Sequence, residues 1–315
     1  NGFQAAFTYS KEADQAIREA DFIVTSTGEQ NLGDVAQQVK AGMCGKQKKT
    51  VFLTAENGIN PAKVLRTHLK DAGVEGDYTV TQTAVFCSTV SIHDTRLDIL
   101  SMNEAYFPYD ADELDELDFE GAVPVHDFEK FFKRKIYTYN CLAGLISYCG
   151  YIKGYEVYGD AACDPDIDAL MMRLMEELNP ALQDYFQITK EDQEAFTNRA
   201  LAKFRDKSIL DYNIKNGRAP ARKLGPTERI MSPMKILLDH DMDPRILEFV
   251  AAAALVYWDE LQGKTEPKMD KDLITTFCEI NSLEGNEPVV EHVKHYLYEI
   301  KKNRDNICIM QILFG

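Results

Sequence analysis

The chain has 315 residues, of which 45% are hydrophobic, so it is long enough for one large domain or two ordinary ones. A net charge of −16 and a pI near 4.9 argue against a nucleic-acid backbone or an anionic membrane as a partner. No run approaches the roughly 18 apolar residues that span a bilayer, and nothing resembles a secretory signal peptide. The seven cysteines are scattered without a Cys-x-x-Cys, which favours a reduced, cytoplasmic compartment over a disulfide scaffold.

The first third of the chain alternates strand and helix patterns. The strands are predicted at 22–26, 50–54, 78–85 and 96–102, and the helices at 11–20, 35–43 and 61–70. This order predicts the second half of a doubly wound, Rossmann-like domain, where turns at the carboxyl ends of strands bind ligands. Two such turns are Thr27-Gly28 and Glu56-Asn57.

The first half of such a domain is not recognisable. The sequence begins with Asn1 and contains no Gly-x-Gly-x-x-Gly, although a dinucleotide domain is expected to open with one. We therefore expect a partial dinucleotide-binding domain over residues 1–122, without its first strand–helix–strand unit. The apolar run 307–315 ends at a glycine and predicts the missing first strand, parallel to residues 22–26. The alternative is a strand or helix that packs on the core.

The chain changes character after an acidic segment. Residues 110–120 include seven acidic residues, which indicates a solvated connection rather than a surface that docks on a basic partner. The domain boundary is placed near Val123, and residues 123–306 are predicted to form a helical substrate and catalytic domain. After a central helix, the predicted helices are 165–187, 189–207, 227–239, 244–263, 270–282 and 288–302. The predicted fold class is α/β plus all-α.

The central helix, residues 131–148, is apolar on almost every side, which is typical of a buried helix. Lys135 and Asn140 lie inside it, where a cation or an amide is costly unless it has a use. Burial disfavours the charged form of a lysine, so Lys135 could act as a proton acceptor. The alternatives are a lysine that reaches the surface along its own stem and an asparagine satisfied within the core.

The segment 215–235 is basic in an otherwise acidic chain, with six basic residues against one acidic residue, Glu228. Arginines beside a helix start, here predicted at Pro226-Thr227, can hold a phosphate or carboxylate. The alternative is a bridge to acidic surface elsewhere. The candidate ligand-binding residues are Arg218, Arg222, Lys223 and Arg229.

Other reactive side chains have simpler interpretations. His292 and His295 lie on one helix face, but their spacing without further ligands indicates a surface pair, and no metal is expected. Three cysteines have no suitable histidine near them in sequence and are interpreted as buried structural thiols. They are Cys87, Cys141 and Cys149.

Several motifs together resemble one family. Lys135, four residues and then Asn140 resemble the active-site helix of the polyol-specific long-chain dehydrogenase/reductase family, nearest its mannitol-1-phosphate 5-dehydrogenase branch. Residues 21–28, Asp-Phe-Ile-Val-Thr-Ser-Thr-Gly, resemble the fourth strand and cofactor loop of the family. The other matching motifs are Ala55-Glu56-Asn57, similar to an active-site turn, and Arg222-Lys223-Leu224 with Glu228-Arg229 and Pro233, similar to a substrate-side segment. The similarity covers most of residues 1–300.

Two positions depart from the family pattern. The family has a histidine three residues after the asparagine, where this chain has Ala143. After Ala84-Val85 the family has Asp-Arg, where this chain has Phe86 and Cys87. These departures leave open a different substrate or little activity.

The resemblance implies metal-independent hydride transfer between NAD and a polyol or polyol phosphate. Lys135 would be the general base, and Asn57 and Asn140 would hold the developing alkoxide, although Asn57 before Gly58 is also plain turn chemistry. The implied cofactor-binding residues are Thr27, Gly28 and Glu56. The basic residues of segment 215–235 would bind the phosphate or carboxylate of the substrate.

The expected partner is a small molecule, and the protein is expected to be a monomer or small homo-oligomer, with nucleic acid and membrane disfavoured by the net charge. Two alternatives stay open at this point. One is a sugar-acid (hexuronate) reductase of the same family. The other is a non-catalytic relative that binds a sugar phosphate or dinucleotide without turnover.

Overall fold

The computed structural model of the protein describes residues 4–91, 98–102, 105–208 and 210–315. The chain divides into two compact units, the first from Asn1–Ser88 and Asn103–Lys133, the second from Thr89–Met102 and Arg134–Gly315. The predicted limits, 1–122 and 123–306, remain a prediction.

Strands are concentrated in the first 125 residues. They are β1 (Phe22–Thr25), β2 (Thr50–Thr54), β3 (Tyr78–Gln82), β4 (Thr89–Ser91), β5 (Ile99–Ser101), β6 (Phe107–Asp110) and β7 (Ala122–Val125). Those predicted at 22–26, 50–54 and 78–85 are confirmed, the last one shorter than expected. Of the strand predicted at 96–102, residues 96 and 97 lie outside the described residues.

Helices make up most of the remainder. They are α1 (Lys11–Glu19), α2 (Leu32–Met43), α3 (Pro61–Asp71), α4 (Phe128–Lys135), α5 (Cys141–Ile152), α6 (Tyr158–Ala162), α7 (Pro165–Phe186), α8 (Lys190–Arg205), α9 (Asn213–Gly217), α10 (Pro220–Lys223), α11 (Met231–Asp239), α12 (Arg245–Leu261), α13 (Leu273–Asn281), α14 (Pro288–Lys302) and α15 (Ile309–Phe314). None of the helices in the described ranges is long and apolar enough to cross a membrane.

The first unit is built on a parallel sheet in the order β1-β2-β3. Leu32, Leu65 and Leu69 from the helices and Phe52 and Val80 from the strands share one buried core. Because the three strands are parallel, their carboxyl ends lie along the same edge of the sheet. That edge therefore gathers the turns in which the sequence predicts the cofactor-binding residues.

The acidic segment between β6 and β7 is not uniformly solvated. The two strands pair in parallel, and Asp110, the last residue of β6, is 6% exposed and accepts a hydrogen bond from the Gln82 amide at 2.9 Å. Burial raises the pKa of Asp110, although the Gln82 hydrogen bond opposes this. Leu117 is also buried. The prediction of a solvated segment is therefore wrong at Asp110, because its carboxylate has a partner inside the unit.

The second unit is helical and centres on α5 and α12. Residues 246–258 of α12 are all buried, since small and aliphatic residues such as Ala251–Ala254 leave no polar face. Helix α12 packs against α5 and α14. The predicted burial of the central helix is confirmed, because most of α5 is inaccessible to solvent.

The chain end is helical. The predicted strand 307–313 is wrong, because Ile309–Phe314 forms α15. Ile309 and Leu313, four residues apart, are both buried, and Arg245 donates to the Leu313 carbonyl at 3.2 Å. A short apolar run does not distinguish a strand from a buried helix, and here the alternative of a helix packed on the core is the one observed.

Candidate active site

The central buried helix is interrupted by a wider turn. Helix α4 ends at Lys135, α5 begins at Cys141, and Ile136–Asn140 between them form a π-helix, called here the π-turn. The Cys141 N–H donates to the carbonyl of Ile136, five residues back. Residues five apart in a π-helix lie on nearly the same side, as residues four apart do in an α-helix. The π-turn therefore places Lys135 and Asn140 on one side of the helix.

Lys135 is buried at this turn. It is 5% exposed, which is not the exposure of a lysine whose ammonium reaches bulk water along its stem. That alternative interpretation is therefore wrong. Asn140 is only partly buried, so its amide is accessible to a ligand. A buried amine beside an accessible amide can accept a proton and donate a hydrogen bond to the oxygen that released it.

The position of the family histidine lies one turn further along. Ala143 is partly buried, and its carbonyl accepts a hydrogen bond from the Ser147 hydroxyl at 2.7 Å. At the next residue, Gly144, an added Cβ would lie 3.7 Å from the Cδ of Arg229. Helix α5 thus passes close to the basic segment immediately after Asn140.

The predicted anion-binding residues are brought together in the second unit. Glu228 accepts from the Arg222 Nη1 at 2.6 Å through one oxygen and from the Arg229 Nε at 3.3 Å through the other. Lys223 is 5% exposed and donates to the Asn216 carbonyl. The cluster carries more positive than negative charge, which is the electrostatic requirement for binding an anion.

The pKa values of two of these basic residues are lowered by burial and by the neighbouring positive charges. Burial, followed by the charges of Arg229, Arg222 and Arg218, lowers the pKa of Lys223 to about 7. Burial also lowers the pKa of Arg229, although Glu228 opposes this. Burial is the larger cause of the lowered Lys223 pKa, and the three arginines add to it because like charges disfavour the ammonium.

Arg218 lies at the edge of this cluster under backbone strain. The following residue, Ala219, has a left-handed conformation (φ 58°, ψ 54°) and precedes a proline, which makes that conformation costly. Its N–H donates to the buried Glu266 carboxylate at 3.1 Å and 3.2 Å. Arg218, Lys215 and Glu266 line a cavity of about 540 Å³. Strained backbone held by a buried carboxylate is typical of a binding site.

The predicted helix start at Pro226-Thr227 is wrong. The helix begins four residues later, at Met231. Two N–H groups near the predicted start are used in turns instead: Gly225 donates to the Arg222 carbonyl at 3.0 Å, and Glu228 donates to the Gly225 carbonyl at 3.1 Å. Pro226-Thr227 therefore provides no helix start for an anion, and the candidate anion-binding groups of the cluster are its side chains.

The first unit brings the predicted cofactor-binding residues together at the carboxyl edge of its sheet. The Glu56 carboxylate accepts from the N–H groups of Thr27 and Gly28, each at 2.9 Å. Gly28 has a left-handed φ of 92°. Asn57 is exposed beside them. The N–H groups of Thr27 and Gly28 thus already donate to Glu56, so a ligand would contact other atoms of these two residues.

This edge fits the neutral part of a dinucleotide better than its phosphates. Thr25 Oγ1, buried at the end of β1, has no hydrogen-bond partner among the described residues. At Gly58, an added Cβ would overlap the Glu29 carboxylate, so a larger residue there would displace that side chain. Glycine turns and a hydroxyl without a partner suit a planar ring or a ribose at a strand end.

The second departure from the family pattern is apolar. Phe86 is 2% exposed, and its ring lies 5.2 Å from that of Tyr106 and 6.1 Å from that of Phe131. Where the family has a carboxylate, this chain therefore has part of a buried aromatic cluster. Cys87 next to it is partly exposed, so its interpretation as a buried thiol is wrong.

The remaining reactive groups are accounted for by packing. Cys141 and Cys149 are fully buried, and burial raises the pKa of each thiol to about 12, which agrees with a structural role. His292 Nδ1 lies 2.9 Å from the buried Glu248 carboxylate, and His295 is exposed. Across the described ranges no group of histidine, cysteine and carboxylate side chains could hold a metal ion.

Sequence reasoning missed the side chains behind the π-turn. Arg134, Gln193 and Thr138 form a buried hydrogen-bonded set there. Their signal in the sequence was weak, because an arginine and a glutamine with this spacing are normally surface residues. The contact between Glu266 and Ala219 was also missed, because a glutamate is normally a surface residue.

Comparisons with known proteins point to one family. The profile of the mannitol dehydrogenase C-terminal domain family matches residues 127–310. Mannitol-1-phosphate 5-dehydrogenase of Shouchella clausii is 27% identical, covering 91% of this chain and 81% of that protein. The enzyme of the same name from Caldanaerobacter subterraneus is 24% identical, and the match covers 91% of this chain and 79% of that protein.

Two solved structures share the fold. Mannitol 2-dehydrogenase of Pseudomonas fluorescens, in a ternary complex with NAD and D-mannitol, superposes with a TM-score of 0.72 at 13% identity, covering 96% of this chain and 77% of that one. A substrate-free D-sorbitol dehydrogenase superposes with a TM-score of 0.71 at 12% sequence identity. The match covers 94% of this chain and 75% of that one.

A Rossmann-like α/β unit followed by a helical unit is thus the architecture of a polyol dehydrogenase. The chain belongs to the mannitol dehydrogenase family. The resemblance seen in the sequence and the predicted fold class are both confirmed.

Proposed function

We propose that the protein is an NAD-dependent dehydrogenase that acts on a polyol phosphate of the mannitol 1-phosphate type. The observation that carries the proposal is the π-turn, which puts the buried amine of Lys135 and the accessible amide of Asn140 on one side of a helix. The family membership and the names of the relatives support the same reaction class.

Lys135 acts as the general base in this proposal. Its neutral amine takes the proton of the substrate hydroxyl that is being oxidised, and in the reverse direction the ammonium returns it. The amide of Asn140 donates a hydrogen bond to the oxygen as negative charge develops on it, and the resemblance to the family gives Asn57 the same role. Because Lys135 is buried, water does not compete for the transferred proton.

NAD supplies the hydride acceptor when bound. The residues proposed to contact it are Thr27, Gly28 and Glu56, at the carboxyl edge of the sheet. Glu56 holds the turn in shape through both N–H groups, and Gly28 permits a close approach because it has no side chain.

The basic cluster favours a phosphorylated substrate over a free polyol. Arg218, Arg222, Lys223 and Arg229 have excess positive charge, and Arg229 approaches α5 at Gly144, one turn after Asn140. A phosphate joined to a polyol chain can therefore reach the cluster while a carbon near the other end reaches Lys135. A hexuronate has the same requirement, which makes a sugar-acid reductase the second candidate.

A binding protein without turnover is the candidate from another class. Ala143 in place of the family histidine and the aromatic cluster around Phe86 favour it, because both remove polar groups from family positions. Loss of a proton-relaying histidine can cost on the order of 10²–10⁴ in rate.

The test follows the absorbance of reduced nicotinamide with the purified full-length protein. The substrates are mannitol 1-phosphate, related polyol phosphates, free polyols and hexuronates. We expect oxidation of a polyol phosphate with reduction of NAD, and a fall of about 10²–10⁴ in kcat for Lys135→Ala. Lys190→Ala, at an exposed lysine of α8, is the matched control and should be unchanged. Cofactor binding without turnover of any substrate would instead support the binding protein.

A further inference from the structure

The π-turn needs support from outside its own helix. A π-helix is rare because its hydrogen bonds and packing are poorer than those of an α-helix, and a single wide turn reverts to α-helix unless neighbouring groups hold it. The structure provides such groups on both sides of Lys135.

Arg134, the residue before Lys135, is fixed by α8. Its Nε donates to Gln193 Oε1, its Nη1 to Asp192 Oδ2 and its Nη2 to the Asp192 carbonyl, each at 2.8 Å. Its guanidinium lies 4.3 Å from the centre of the Phe196 ring. A planar guanidinium with three directed hydrogen bonds and a stacked ring has one orientation, so the end of α4 cannot rotate.

Gln193 extends the same restraint into the π-turn. Its Nε2 donates to Thr138 Oγ1 at 3.2 Å and to Asn179 Oδ1 at 3.1 Å. Gln193 and Thr138 are both fully buried. One amide thus binds the residue before Lys135 through its oxygen and the middle of the π-turn through its nitrogen, and Asn179 on α7 holds that amide from behind.

We propose that Gln193 and Thr138 are positioning residues, which keep the π-turn wide and thereby hold Lys135 and Asn140 on the same side of the helix. The proposal rests on the proposed function for its catalytic consequence. Buried polar groups between three helices stabilise a fold less than apolar packing of equal volume would, so the geometry they impose is the reason to have them.

The test compares nearly isosteric variants. Thr138→Val removes the hydroxyl that accepts from Gln193, and Thr138→Ser keeps it. Ser147→Ala is the matched control, because the Ser147 hydroxyl is also buried in the same helix but donates to the Ala143 carbonyl at 2.7 Å, outside the π-turn and its restraint. Gln193→Met removes both ends of the restraint.

The first readout is amide hydrogen exchange of residues 134–141, which does not depend on activity. We expect exchange about 3- to 10-fold faster in Thr138→Val and Gln193→Met, with Thr138→Ser and Ser147→Ala close to wild type. Equal exchange in Thr138→Val and Ser147→Ala would overturn the proposal, because the Thr138 hydroxyl would then only contribute to packing.

The second readout is steady-state kinetics. We expect kcat to fall about 10- to 100-fold in Thr138→Val, with KM changed by less than about 2-fold. Thr138→Ser keeps the hydroxyl and should have a kcat close to that of the wild-type protein. A rise in KM with constant kcat would contradict a positioning role. If the wild-type protein turns over none of the substrates, the proposed function fails, while the exchange comparison still decides whether Gln193 and Thr138 hold the π-turn.

Discussion

Arg222 and Arg229 share one carboxylate, with Glu228 accepting from the first at 2.6 Å and from the second at 3.3 Å. The two arginines differ in exposure, since the Arg222 side chain is 56% exposed and that of Arg229 only 13%. Glu228 therefore orients a buried and an exposed guanidinium at the same place. The exposed guanidinium of Arg222 has further N–H groups that can bind a phosphate. The buried guanidinium of Arg229 adds positive charge beneath the surface.

Replacing the exposed arginine should affect only phosphorylated substrates. We expect Arg222→Gln to raise KM for a polyol phosphate about 10- to 100-fold, the cost of one charged hydrogen-bond donor, and to leave KM for a free polyol unchanged. Lys235→Gln is the control, because Lys235 is exposed on α11 within the same basic segment. Similar losses with both substrates would show that the cluster does not bind the phosphate.

Anion binding by the cluster should weaken as the pH rises through about 7, where Lys223 loses its proton. Sulfate is a suitable probe because it remains a dianion throughout this range. We expect its affinity, measured by calorimetry, to fall on the order of 10-fold between pH 6 and 8.5. Lys223→Met lacks the titrating amine, so we expect it to bind sulfate weakly with a flat pH profile. A flat profile in the wild-type protein would contradict the assignment.

The elements that sequence patterns predict well are those with local signals at their ends. Ser10 caps α1, Pro165 opens α7 and Pro288 opens α14, and all three helices begin where predicted. The π-turn had no such signal, because a lysine and an asparagine five residues apart fit a buried α-helix equally well.

The sequence predicts which turns lie together, but it does not predict the contacts between distant side chains. Glu56, Thr27 and Gly28 meet as neighbours, as turns at parallel strand ends should. The contact between Arg134 and Gln193 joins positions 59 residues apart. Only the packing of α8 against the π-turn brings them together, and no local pattern encodes that packing.

Restoring the family histidine should raise activity. Ala143 is partly exposed, so a larger side chain at this position has an outlet toward solvent. We expect Ala143→His to raise kcat by about 10-fold or more, since a second proton-transferring group beside the general base speeds the step. Ala143→Phe adds similar bulk without an imidazole and should not. No gain in Ala143→His would indicate a proton path that does not pass this position.

Fold stability should depend on the Asp164 carboxylate, which joins α5 to α7. It caps α7 through the N–H groups of Asp166 and Ile167 and accepts from Lys153 at 2.6 Å and from the Tyr155 hydroxyl at 2.8 Å. Burial would raise its pKa, but hydrogen bonds from Lys153, the Ile167 N–H and Tyr155 outweigh it, and the pKa lies below the usual value.

A carboxylate with a lowered pKa binds fewer protons in the folded than in the unfolded chain, so its stabilisation is present above the unfolded pKa near ~4 and is lost as the pH falls through the folded value. We expect Asp164→Asn to lower the free energy of unfolding by about 2–4 kcal/mol at pH 7. The difference from wild type should shrink below roughly pH 4. Asp168→Asn, one turn along α7 at a half-exposed ion pair with Arg205, should cost less than about 1 kcal/mol. Urea unfolding at pH 7 and pH 3.5 measures both, and equal losses in the two variants would place the effect in general surface charge rather than in this contact.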